Sequence, residues 1–183
     1  MTLLPLDNPA TYDDLHNLPS EARAEILDGV IVMSPGASIR HNRAARYLAN
    51  LLEAAGRRHG YSVGTDNDVQ WTATRVTRPD VFVIDTAHAE TDPMPVTEIP
   101  VIVVEILSPT SMTQDLVIKP KYCETAKVLE YWVVDLTKQH LLRYHFIDDD
   151  THYTRDIIQN GSKMSIDIPF PFVLDTSVIF WLK

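Results

Sequence analysis

The feature that most limits how this chain folds is the run Val101-Ile102-Val103-Val104-Glu105-Ile106-Leu107, closed by Pro109. A nearly unbroken apolar run of this length predicts a central strand buried on both faces. Such a strand needs paired neighbours and a covering layer above and below, so the chain must build a helix-flanked sheet. The run also carries an acid. A lone buried carboxylate costs several kcal/mol. Glu105 therefore needs either a structural partner, such as an arginine, or a site that uses its charge.

The rest of the chain is read around that strand. Thr11 to Leu18 and then Pro19-Ser20-Glu21 read as two short helical pieces, with Ser20 as an N-cap. Glu25 to Ser34 reads as a strand pair turning at Asp28-Gly29. Ser38 caps a long helix reaching about His59, with Ala44, Leu48, Leu51, Leu52 and Ala55 at helical spacing and Gly60 as its stop. Tyr61 to Trp71 reads as one strand with polar interruptions, and Pro79 to Ile84 as another. Asp85 to Pro100 reads as an acidic loop. A helix is expected between Thr113 and Lys127, and a second buried strand over Glu130 to Asp135. The remainder alternates: His140 to Phe146, Tyr153 to Ile158, an Asn160-Gly161 turn, Met164 to Ile168, and Val178 to Trp181. The expected architecture is a mixed α/β (α+β) sheet flanked by helices, with added β-hairpins at both ends. The 183 residues suit a single domain over 1–183.

Composition excludes several classes. One cysteine, Cys123, permits no internal disulfide and no Cys-rich zinc ribbon; it is expected to pack in the helix face. The start has no signal-peptide pattern, and no apolar run approaches the roughly 20 residues that span a bilayer. The expectation is a cytoplasmic protein without a membrane partner. No Gly-rich phosphate loop or Gly-x-Ser-x-Gly elbow is present, so no organic cofactor is expected.

The net charge of −9 argues against a protein that coats nucleic acid. Its distribution is uneven. Residues 38–78 carry seven arginines and three acids, whereas residues 79–135 carry three lysines and ten acids. The arginines make either a solvated surface or a cationic shoulder beside an acidic site.

Asp80 leads the apolar stretch Val81-Phe82-Val83-Ile84. Two carboxylates on adjacent strands, Asp80 and Glu105, repel unless something positive lies between them. A divalent ion does this, and Mg²⁺ is commonly held by one or two carboxylates plus phosphate oxygens and water. Asp115 and Lys119 are four residues apart and share a face if helical. Pro120 means that the helix either starts there or kinks; in the first case Lys121 rivals Lys119 for a role at the acids. His41 and Glu25 are weaker accessory candidates.

Taken together, these residues resemble a known family. Arg78-Pro79-Asp80, Val103-Val104-Glu105-Ile106-Leu107-Ser108-Pro109, Asp115-Leu116 with Lys119, and Glu130-Tyr131-Trp132-Val133-Val134-Asp135 are similar to the Uma-type restriction endonucleases of the PD-(D/E)XK superfamily. Thr11-Tyr12-Asp13-Asp14-Leu15, Glu25-Ile26-Leu27-Asp28-Gly29, Ser34-Pro35 and Arg40-His41 extend the likeness over roughly residues 11–180. The resemblance implies a restriction-endonuclease-like fold, with Asp80, Glu105 and the carbonyl of Ile106 as ligands of Mg²⁺ or Mn²⁺. Where the superfamily places its usual lysine, this chain has Leu107, and the resemblance implies that Lys119, on the following helix, substitutes for it. Two departures are Cys123 at the family's helix tyrosine, with Tyr122 one place early, and Pro120 and Lys127 at positions more often basic and glycine.

Three functions follow as expectations. The first is a metal-dependent endonuclease that cuts double-stranded DNA as a homodimer, with Asp80, Glu105 and Lys119 (or Lys121) catalytic and Arg40, Arg43 and Arg78 touching DNA. The second is an inactive nuclease fold that binds nucleic acid or protein. The third is a small-molecule phosphoesterase.

Overall fold

In the computed structural model, residues 8–19, 22–148 and 150–180 are described, together with the backbone of 2–4. Ser20 and Trp181, named above as a cap and a strand end, lie outside them. The chain runs β1 (Thr2–Leu4), α1 (Tyr12–His16), β2 (Ala24–Leu27), β3 (Val30–Met33), α2 (Ile39–Gly56), β4 (Tyr61–Gly64), β5 (Val69–Thr72), β6 (Arg75–Thr77) and β7 (Val81–Asp85). It continues through α3 (Thr86–Ala89), β8 (Ile102–Ile106), a π-helical turn (Gln114–Ile118), α4 (Lys119–Thr125), β9 (Glu130–Asp135), β10 (His140–His145), β11 (Thr154–Gln159), β12 (Lys163–Ile166), β13 (Phe172–Asp175) and α5 (Thr176–Phe180).

The apolar run is the central strand β8, and every residue of it is buried. Its sheet has the order β11-β10-β9-β8-β7-β4, with β8 and β9 parallel and the other pairs antiparallel. Side-chain alternation splits the sheet between two cores. Val81, Val83, Ile102, Val104 and Ile106 face α2 (through Ala44, Leu48 and Leu52), α5 and the β12-β13 pair. Phe82, Ile84, Val103, Tyr131 and Val133 face the other way, toward Cys123 of α4 and toward Val69 and Val96. Cutting fully buried Leu48 to alanine would cost about 2–5 kcal/mol. Gly64 is required by close approach: a Cβ there would stand 2.2 Å from the Phe82 ring across the β4-β7 pair.

A second sheet, β1-β3-β2-β6-β5, packs beside the first. The Asp28-Gly29 turn is as expected, with φ of 49° and 80° in the left-handed region that tight hairpins need. Gly29 also sits against Pro9, where a Cβ would meet the proline Cβ at 2.7 Å.

Some expectations are corrected. Tyr61–Trp71 is not one strand: β4 joins the first sheet, the chain turns at Asp66 (φ 59°), and β5 joins the second. β6 and β13 were not anticipated. The acidic loop contains α3, capped where Asp85 accepts from the Ala87 N–H. Val178 belongs to helix α5, not to an extended segment.

Helix α4 begins at Lys119, one residue before Pro120, so the proline sits in its first turn. A π turn over 114–118 runs directly into α4, with helical backbone at Thr113, Ile118 and Lys119. An interior proline lacks an N–H and crowds the carbonyl four residues back. A π turn widens the helix just before the proline and accommodates both problems.

Candidate active site

The acid singled out in β8 lies at the floor of a cleft of about 400 Å³. Glu105 alternates with the valines of β8 and so shares the face covered by α4. From α4, Lys119 reaches back with its ammonium 2.9 Å from Glu105 Oε1 and 3.0 Å from Asp115 Oδ1, one turn earlier. From the second sheet, Glu25 places Oε1 2.9 Å from the same ammonium. Glu25 shares a strand face with Leu27, which packs with Val32 and Tyr122 against the helix. All four charged groups are buried, with 2–6% of their surface exposed.

Asp80 precedes β7, and the register pairing Val81 with Val104 continues to bring it opposite Glu105. Its Oδ2 accepts the Ile106 N–H at 2.7 Å and lies 3.1 Å from His41 Nε2, in the first turn of α2. Glu25 Oε1 also accepts the Arg78 N–H at 2.8 Å, which ties the second sheet to the chain just before Asp80. Ser38 fixes the start of α2 by accepting the His41 N–H.

Acids outnumber bases here: Glu25, Glu105 and Asp115 surround the Lys119 ammonium, while Asp80 pairs with His41. Burial pushes the Glu105 carboxyl well above its ordinary range; the Lys119 charge opposes this, while Asp115, Asp80 and Glu25 reinforce it. Burial alone would lower the Lys119 pKa, but the charges of Asp115, Glu105 and Glu25 outweigh it and hold the ammonium well above the ordinary lysine value. The His41 imidazole is likewise penalised by burial, yet its hydrogen bond and charge contact with Asp80 raise it overall. Among the described residues, no three His, Cys, Asp or Glu side chains form a ready-made cation cage.

The structure thus brings together Asp80, Glu105, Ile106, Lys119, Glu25, His41 and Asp115. Lys121 does not join them; it is exposed on the outer face of α4. Asp115 and Lys119 are not a surface pair. Arg40 lines the cleft and donates to the Leu136 carbonyl at 2.6 Å. Arg78 lines it too, but its Nε is bound to Asp68 at 2.8 Å. Arg43 is exposed on α2, outside the cleft.

Sequence reasoning missed the hydroxyl-rich rim. Ser108, Thr110 and Ser111 line the cleft after β8, and the Ser108 and Ser111 hydroxyls stand 2.9 Å apart. The signal was the Ser-Pro-Thr-Ser turn itself. It missed Arg23 as well, which pairs with Asp66 at the mouth.

A helix-flanked mixed sheet with acids and a lysine gathered in one cleft is the architecture of a restriction-endonuclease-like nuclease fold. A family model described as "Uma2: Putative restriction endonuclease" matches residues 9–177, and the chain belongs to that family. Its fold is similar to the crystal structure of a "putative nuclease belonging to DUF820" from Anabaena variabilis ATCC 29413. That match has a TM-score of 0.76 and 18% identity, covering 96% of this chain and 100% of the other. No curated protein matches the chain. Among the described residues, no helix is long and apolar enough to cross a membrane.

Proposed function

We propose that this protein is a divalent-metal-dependent endonuclease that hydrolyses DNA phosphodiester bonds in the cleft of Asp80, Glu105 and Lys119. The observation that carries this reading is the buried Lys119 ammonium within 3.0 Å of Glu25, Glu105 and Asp115, facing a cleft that also holds Asp80. Four carboxylates, Glu25, Asp80, Glu105 and Asp115, face Lys119 and His41, and a divalent cation offsets the excess of acids. The donor set suits a hard cation such as Mg²⁺ or Mn²⁺: two carboxylates, Asp80 and Glu105, and the Ile106 carbonyl, all oxygen. When bound, such an ion polarises phosphate oxygens and lowers the pKa of water.

The protein's own groups do the rest. The Ile106 N–H and His41 fix the direction of the Asp80 carboxylate. Asp115 and Glu25 hold Lys119 in place, so its charge is preorganised toward a phosphate. Water adds to phosphorus, the bond to the leaving sugar oxygen breaks, and that oxygen takes a proton. Two such sites acting on opposite strands favour a homodimer.

Nicking of supercoiled plasmid with Mg²⁺, Mn²⁺ or EDTA tests the reading. Wild type should nick only with metal, and Asp80→Ala and Glu105→Ala should lose about a hundredfold or more. Equal nicking by all three proteins would overturn it.

A non-cutting, nucleic-acid-binding role is the second reading. It is favoured by Lys119 holding Oε1 of Glu105. It predicts no Mn²⁺-dependent rise in Tm, whereas a rise lost in Glu105→Ala supports the first reading.

A further inference from the structure

The cleft lining nearly balances, with Arg23, Arg40, Arg78 and Lys119 against Glu25, Asp66, Asp80, Glu105 and Asp115, so an excess of positive charge to attract a nucleic acid has to be sought beyond it. It lies on α2. Residues 39–59 hold five arginines (Arg40, Arg43, Arg46, Arg57, Arg58) and one acid, Glu53. The remaining residues hold eleven bases and twenty-four acids, a balance of −13. All five arginines are exposed, whereas Glu53 is half-buried and accepts the Val63 N–H at 3.0 Å. The outer face of this helix is therefore cationic on a molecule whose remaining residues are net anionic.

Its geometry is ordered. Ala44, Leu48, Leu52 and Gly56 turn inward to the core. At 100° per residue, Arg43, Arg46, Asn50 and Arg57 fall opposite them, forming one outward ridge. Arg43 to Arg57 spans about 21 Å at 1.5 Å per residue. Arg57 and Arg58 sit in the 3₁₀ turn that extends the helix. The other end of the helix is the wall of the cleft: Ser38, Arg40 and His41 line it, and His41 touches Asp80.

We infer that the exposed ridge of α2 is a sugar-phosphate contact surface, which holds one nucleic-acid backbone along the helix and delivers it to the cleft beside Asp80. The inference rests on the nuclease reading for the partner class, and on charge complementarity for the place. Arginine matches phosphate through its planar fork, and such contacts carry no base sequence. Recognition at this surface is sequence-independent and salt-sensitive.

The test is binding of fluorescein-labelled DNA by the full chain in EDTA, followed by polarisation across a salt series. Wild type is compared with Arg43→Ala/Arg46→Ala/Arg57→Ala and with Lys138→Ala/Arg155→Ala/Lys163→Ala, which removes equal charge at exposed sites elsewhere. The α2 variant should bind at least about tenfold more weakly, with the slope of log K against log salt shallower by about 2–3. The control variant should match wild type. Equal losses in both variants, no loss in the α2 variant, or no binding by wild type would each overturn the inference. So would a requirement for the α2 arginines on phosphatidylserine vesicles with DNA binding unchanged. Binding without metal keeps the two readings separable. Arginine-dependent binding by a protein that never nicks would sink the endonuclease and leave this surface standing.

Discussion

Glu25 and Lys119 come from different layers of the molecule, yet their charged atoms lie 2.9 Å apart and both are buried. The contact fastens the second sheet to the helix behind the central strand. Glu25→Ala would leave the Arg78 N–H without this acceptor and remove one of three anions from the ammonium. The expected outcome is a loss of about 1–3 kcal/mol in urea unfolding. Nicking should fall mainly in kcat, since Asp80 and Lys119 lose alignment while the outer face of α2 is untouched. An unchanged kcat with raised KM would contradict this.

Lys119→Met removes the cation and leaves Glu25, Glu105 and Asp115 together. Breaking a buried ion pair by deleting one partner costs about 3–5 kcal/mol. With the Lys119 charge that lowers it gone, the already raised Glu105 carboxyl holds its proton to still higher pH in the folded variant. Stability should be best at acid pH and fall as pH rises through the carboxylate range. Thermal melts from pH 4 to 8 measure this, and a flat profile would count against it.

Glu105→Gln should separate stability from activity. The folded-state Glu105 carboxyl is pushed up by burial, so its charged form is penalised once pH exceeds the ordinary carboxylate value. Its stabilising contribution is present only below that value and is lost as pH rises toward the folded one. At neutral pH the amide variant should melt about 2–4 °C higher while nicking is lost. A lower Tm would show that the charged form is favoured.

Pro120→Ala tests the π turn. Restoring the N–H allows the helix to tighten to α geometry, which would keep Asp115 one turn before Lys119 but shift the ammonium relative to Glu105 and Glu25. Helical ellipticity should rise slightly and nicking should drop. Unchanged nicking would mean that packing, and not the proline, sets the turn.

Asp28 accepts from Arg75 Nε at 2.6 Å at the β2-β3 turn, and this hydrogen bond lowers its pKa. Its contribution is present above the unfolded carboxylate value and is lost as pH falls through the lowered one. An NMR titration should find Asp28 below 3.8 in wild type and closer to it in Arg75→Ala.

The residues of the site were legible where an acid broke an apolar pattern. Glu105 stood out for that reason, and Asp80 followed from it. Pattern alone is not a sufficient signal, as Glu130 shows. It opens the adjacent strand β9, equally buried, but the Arg143 guanidinium and the Trp132 indole N–H satisfy both its oxygens. It is a structural acid. The choice between Lys119 and Lys121 was hidden by Pro120, because a π turn leaves no trace in helical spacing. Glu25 was weak in sequence because its partners are 53 and 94 residues away. The division of 61–72 between two sheets was masked by Asp66-Asn67-Asp68, which reads as a polar interruption until Asp66 is seen in the left-handed region. Helix α5 did have a signal: Asp175 accepts the Ser177 N–H at 3.0 Å.

The parallel pairing of β8 with β9 has a consequence for how this site can change. Parallel neighbours force the chain to leave one end of the sheet and re-enter at the other, and α4 is part of that return path. The acid is therefore set by strand register, whereas its lysine is set by the length of the connection. One residue added or deleted between Leu107 and Thr113 would slide the ammonium past Glu105 and leave the β ladder intact. Acid and base can thus diverge independently, which is how Leu107 can be apolar at the strand end while a lysine still reaches the same carboxylate.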